Sequence, residues 1–259
     1  MGFEEILRQV AFTGVRFMAY CAHAFLFGAP AIMLLVLRPS FAGIDREDWK
    51  VGRERLAARL DGVVHSSLIA SAIATTIAIA LQATLVAELN EGDLSSPSFL
   101  SVFSTTFGQW HLFRYPLLAG LIVLLSGKVR QWSLQLDGGA ARPWWLGWLG
   151  LSLGLLATSS FTGHAAVASP RWLGITNDIT HLATGSIWFA GIVILAVLLP
   201  DAWRSKDDAT SLRLLAPVVV RFSKVAIVSI TIVAITGTLN SLLNVADLDD
   251  MYTESYGSA

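Results

Sequence analysis

The chain has 259 residues, 54% of them hydrophobic and 14% charged, with a mean hydropathy of +0.61 and a formal net charge of -1. Soluble domains carry about a quarter charged residues, so charge depletion with long apolar runs points to an integral membrane protein. The near-neutral charge, without aromatics interleaved among basic clusters, argues against a nucleic-acid partner.

The N-terminus lacks the basic region and small-residue cleavage site of an export signal, and Phe3-Glu4-Glu5-Ile6-Leu7-Arg8 reads as a short amphipathic lead-in. Six segments follow that approach the roughly 20 apolar residues a bilayer crossing needs. They run over about 15–37, closed by Arg38-Pro39; 63–87; 112–132, with Arg114 and Pro116 near its start; 144–161; 175–199, stopped by Pro200-Asp201; and 218–245. The expected architecture is therefore all-α: a polytopic transmembrane helix bundle forming a single domain over 1–259.

Orientation follows from Lys and Arg in the connecting segments. Arg38, Arg46, Lys50, Arg53, Arg55 and Arg59 lie between spans one and two. Lys128, Arg130 and Arg142 lie between three and four, and Arg204, Lys206 and Arg213 between five and six. Residues 88–111 carry no Lys or Arg, residues 162–177 carry only Arg171, and the C-terminal tail is acidic. The alternation puts both termini outside. It then places His23, His111, His164 and His181 in the outer half and His65 near the cytoplasmic side.

Residues 160–191 concentrate the chemistry. Thr162-Gly163-His164 closes one span, Asp178 and His181 open the next, and Trp188 and Gly191 follow. An imidazole inside hydrocarbon is costly without a partner, so His181 defaults to a functional reading. Asp178, three positions earlier, shares its helix face and is expected to fix one ring nitrogen and leave the other as a ligand. The alternative is a local pair solvated by water. His164 follows a glycine that lets the helix end turn inward. His23, at its depth, should point into the bundle, as a ligand or as a partner for a Ser or Thr. Cys21 cannot join His23 at one ion, because two helical positions point about 200° apart, and a lone cysteine forms no internal disulfide.

His111 is expected at the interface and His65 beside headgroups. Arg114 is expected to snorkel or to pair with an acid at the outer mouth. On span six, Thr236, Asn240 and Asn244 form a polar stripe, read either as interhelical hydrogen bonding or as the lining of a hydrated path. Trp110, Trp132, Trp144, Trp145, Trp172 and Trp203 fit an interfacial belt. No phosphate-binding glycine loop, in-span carboxylate pair or nucleophile elbow is present, so no enzymatic activity is expected. Imidazoles open to the outside without thiolates suit copper or zinc, and Met18 and Met33 are the only methionines within spans.

Thr162-Gly163-His164-Ala165, His181 with Trp188 and Gly191, Arg221-Phe222-Ser223 and Thr236-Gly237-Thr238-Leu239-Asn240 together resemble the copper-resistance protein D (CopD/PcoD-like) family of bacterial inner-membrane proteins. The resemblance is clearest over about residues 155–259. It implies eight spans, so that this chain stops before the last two, and a role in copper uptake or handling at the inner membrane. It carries over His23, His164 and His181 as metal contacts. It also implies a periplasmic copper-binding partner besides the lipid bilayer. Two other readings are a membrane redox protein with haem b held by His23 and His181, and a non-catalytic helical subunit of a larger membrane complex.

Overall fold

A computed structural model describes residues 3–41, 50–89, 100–126, 142–203 and 208–244. Helix α1 spans Phe3–Ile32, widens into a π turn at Met33–Leu37 and ends with Arg38–Phe41. Helix α2 is Lys50–Leu89, α3 is Thr106–Ser126 after a 3₁₀ turn at Ser101–Ser104, and α4 is Arg142–Ser160. A 3₁₀ turn at His164–Ala166 leads to α5, Arg171–Trp203, and then α6, Asp208–Asn244. Among the described residues there is no strand.

Four helical stretches are long and apolar enough to cross a membrane: Ile6–Phe41, Glu54–Ala87, Arg171–Ala196 and Leu215–Leu243. The protein is a membrane protein. The expected spans at 112–132 and 144–161 correspond to the two shorter helices, α3 and α4. Helix α3 is diluted by Gln109, His111, Arg114 and Pro116 in its first half. Residues 127–132 and Val245 of the expected spans lie outside the described residues.

The surface is apolar where a soluble protein's would be polar. Ile227, Val228 and Ile235 of α6 are each more than half exposed, as are Ile69 of α2 and Val123 of α3. Hydrocarbon makes that arrangement favourable, and it forces polar side chains to find partners inside the chain. Thr76, Ser152, Thr184, Ser223, Thr231 and Thr238 accordingly return their hydroxyl protons to carbonyls of their own helices.

Helix α1 lies at the centre, packed on α2, α4 and α5, while α3 packs on α4 and α6 on α5. One apolar core draws on all six helices, with Leu26, Met33, Leu56, Leu121, Trp148 and Ile194 fully enclosed. Two sequence features set the position of α1. Gly28 touches α5 so closely that a Cβ there would run into the carbonyl oxygen of Ser186 and the Cβ of Ala190. Pro30 has no N–H, so the carbonyl of Leu26, four residues earlier, loses its helical donor. The indole Nε1–H of Trp148 donates to that carbonyl at 2.9 Å and ties α4 to the middle of α1. Trp148→Phe keeps an aromatic side chain but strands the carbonyl and leaves part of a fully buried site unfilled. It should cost about 1–3 kcal/mol, read as a lower unfolding midpoint in detergent; an unchanged midpoint would mean that the bond adds nothing.

The opposite ends of the helices are joined by polar contacts of their own. Ser40 donates to the Pro217 carbonyl at 3.2 Å and Trp144 Nε1 to the Leu124 carbonyl at 3.1 Å. The Arg38 guanidinium lies over the Trp145 ring, 5.8 Å from its centroid.

Candidate functional site

The polar side chains gather towards one end of the bundle, in two groups. The first is built by α1 to α4. His23 is fully buried in α1, a costly position for an imidazole. Its Nε2 and the hydroxyl of Ser71 on α2 are 2.8 Å apart. Its Nδ1 is enclosed and has no hydrogen-bond partner. One turn beyond Ser71, the Thr75 hydroxyl is also buried and unpartnered, as is that of Ser160 at the end of α4. His111 is buried in α3, stacked on Phe107 with ring centroids 3.8 Å apart. Its Nδ1–H donates to the Phe107 carbonyl at 2.8 Å, so the lone pair resides on Nε2.

Arg114, one turn further along α3, is 4% exposed. Its Nε–H donates to the Thr158 hydroxyl at 2.8 Å and its Nη2 to Ser159 at 3.3 Å. The Thr158 hydroxyl gives its own proton to the Leu155 carbonyl, which leaves a lone pair for the guanidinium. Arg114 thus points into the bundle and does not snorkel, and no described carboxylate pairs with it; His111 is likewise enclosed by the helices. Both lie on the stripe formed with Leu118, Leu121 and Leu125, and that stripe faces the bundle.

The second group joins α5 to α6. The Thr236 hydroxyl donates to the Ile232 carbonyl at 2.7 Å and accepts from His181 Nδ1–H at 2.9 Å. With the Thr236 proton on that carbonyl, Nδ1 is the protonated nitrogen and the lone pair of His181 is on Nε2. Gly237 leaves room for the ring: a Cβ there would stand 3.3 Å from His181 Cε1. Asn177 Nδ2 donates to the Thr236 carbonyl at 2.8 Å and to Asn240 Oδ1 at 2.6 Å, and Asn240 Nδ2 donates to Asp178 Oδ1 at 3.3 Å. The orienting partner of His181 is therefore Thr236 and not Asp178, whose carboxylate is engaged by Asn240 across the helix pair. Of the expected stripe on α6, Thr236 and Asn240 serve interhelical bonding; the Asn244 side chain lies outside the described residues.

His164 lies exposed on the 3₁₀ turn between α4 and α5. The described residues contain no group of three or more His, Cys, Asp or Glu close enough to hold a metal ion. His23, His164 and His181 are consequently not gathered as one ligand set. Arg114 and His111 are within electrostatic reach of His23, and Asp178 and Arg114 within reach of Tyr20, so the two groups adjoin through α1. Ser71 and Thr75 are residues that sequence reasoning passed over. Ser67, Ser71 and Thr75 recur every fourth position in an apolar helix and all are buried, the same signal that marks the stripe on α6.

A family model described as copper resistance protein D-like, N-terminal domain, matches residues 7–175. The motifs that carry the resemblance in the sequence lie mostly beyond that range, so the family match adds the first half of the chain to it. The chain is 29% identical over 214 residues to the copper transport protein CutJ of Bacillus subtilis (strain 168). That alignment covers 82% of this chain and 38% of the relative, so the chain spans well under half of the relative's length. No solved structure matches.

Proposed function

Since the chain belongs to the copper resistance protein D-like family, we propose that it handles copper and takes the ion inward across a bacterial inner membrane. The observation that carries this reading is His23: a fully buried imidazole in the central helix, with one nitrogen held by Ser71 and the other enclosed without a partner. An apolar core that needed only bulk would not favour such a residue. A cation passing the bundle gives its Nδ1 something to bind.

On this reading the histidine-bearing end faces outward. Basic residues gather towards the other end, where Arg38, Arg221 and Lys224 lie, and the rule that cytoplasmic segments are rich in Lys and Arg places that end inside. A periplasmic copper-binding protein delivers the ion to exposed His164. His181 offers Nε2 at the α5–α6 seam, and His23 takes the ion in the adjoining core, since α1 packs against α5. Copper is cargo in this scheme. The protein breaks and forms no covalent bond, and no catalytic residue is required.

The test is metal analysis of the full-length protein purified after growth with copper. Wild type is expected to retain copper, His23→Ala to lose most of it, and His181→Ala to lose a smaller share. Uptake into right-side-out vesicles should fall in the same order. Unchanged copper content in both variants would sink the histidine site, and a Soret band in the absorption spectrum would replace copper with haem b.

A further inference from the structure

Arg114 has no role in the scheme so far. Among the residues whose burial is described, it is the only Asp, Glu, Lys or Arg that is buried. A buried guanidinium normally has a carboxylate partner. This one has two neutral hydroxyls, Thr158 and Ser159, and no carboxylate among the described residues is in ion-pair contact with it. Among the described residues, then, no carboxylate cancels its positive charge locally. The groups within reach of that charge are His23 and Tyr20 on α1 and His111 on its own helix. Asp178 on α5 and Arg16 on α1 bear on Tyr20 as well. Two imidazoles, one with an enclosed, unpartnered nitrogen, thus lie in the field of a fixed cation that no described carboxylate pairs.

We propose that Arg114 is a specificity-determining residue that selects the incoming ion by charge, favouring monovalent Cu(I) over Cu(II) and Zn(II). The inference rests on the copper reading above. Imidazole is a neutral donor and accepts either kind of ion, so the histidines alone discriminate weakly. Repulsion between fixed charges scales with their product, so a divalent ion beside Arg114 is opposed twice as strongly as a monovalent one. In a bundle that excludes water this repulsion is poorly screened. Anchoring by Thr158 and Ser159 keeps the guanidinium from swinging aside, so the penalty is a fixed property of the site.

The experiment measures the affinity of the full-length protein in detergent for Cu(I), held reduced and buffered by a chromogenic chelator, and separately for Zn(II). Arg114→Lys keeps the charge and should leave both affinities within about threefold of wild type. Arg114→Gln removes the charge and keeps an N–H donor. If it tightens Cu(I) by about tenfold, it should tighten Zn(II) by about a hundredfold, since the factor for the divalent ion is the square of that for the monovalent one. Thr158→Asp neutralises the guanidinium in place and should give the same unequal shift, which carries the test if Arg114→Gln does not fold. Equal factors for the two ions in the neutralised variants, or a Lys variant that shifts as far as the Gln variant, would overturn the charge filter while leaving copper binding intact. A wild-type protein that binds no Cu(I) would overturn this inference, and one that also retains no copper after growth with copper would overturn the copper reading beneath it.

Discussion

Gly28→Ala is expected to destabilise the bundle severely, although a helix propensity scale predicts the opposite. Alanine is favoured over glycine in a helix by about 1 kcal/mol. At Gly28, however, the added carbon would occupy the space of the Ser186 carbonyl oxygen and press on Ala190. A backbone carbonyl inside α5 cannot swing away as the end of a flexible side chain does, so α1 and α5 must separate. Overpacking costs typically about 1–3 kcal/mol, and this contact lies at or above the upper end. Gly14 in the same helix has nothing within 4 Å of its would-be Cβ. Gly14→Ala should therefore be neutral to stabilising by up to about 1 kcal/mol. Unfolding both variants in the same detergent separates the two effects, and equal midpoints would mean that α1 and α5 are not in contact as described.

Thr158→Val is the second large effect. The substitution conserves shape but removes the acceptor, 2.8 Å from Arg114 Nε, that makes a buried guanidinium tolerable. Hydrogen bonds to charged groups are worth about 1.5–3 kcal/mol, and Ser159 at 3.3 Å replaces only part of that. Arg114→Met alone is gentler, because the Thr158 hydroxyl still donates to the Leu155 carbonyl at 2.6 Å. The double variant should be more stable than Thr158→Val alone, since the stranded charge is gone. The cycle should show a coupling of at least about 1 kcal/mol. Simple additivity of the two losses would mean that the hydroxyl and the guanidinium do not interact.

The helices were legible because long apolar runs dominate the sequence, but their ends were not. Hydropathy detects only the part of a helix that lies in lipid. Helix α1 begins at Phe3 rather than near Val15, and α2 at Lys50 rather than near Val63, because good helix formers such as Arg53, Glu54, Arg55 and Arg59 extend α2 beyond its apolar segment. The azimuth of His111 and Arg114 was overlooked. Depth alone suggests an interface, whereas their register with Leu118, Leu121 and Leu125 turns them inward. His181 and Asp178 were identified as polar residues on one face, but each finds its partner on α6, in Thr236 and Asn240. An argument confined to one helix cannot see those bonds. Nor can it say whether His23, His164 and His181 converge, because that depends on how α1, α4 and α5 are arranged, which no local pattern encodes.

The π turn at Met33–Leu37 bears on how the two halves of α1 are keyed. A π turn holds one residue more than an α turn, and each residue advances a helix by about 100°. Upstream, the register that turns His23 towards Ser71 is locked by Gly28 and Pro30. Downstream, the register that turns Ser40 towards Pro217 is locked by α6. The wide turn reconciles two rotational settings that a uniform helix would have to share. Each half of α1, the one that carries His23 and the one that carries Ser40, thereby keeps its own phase.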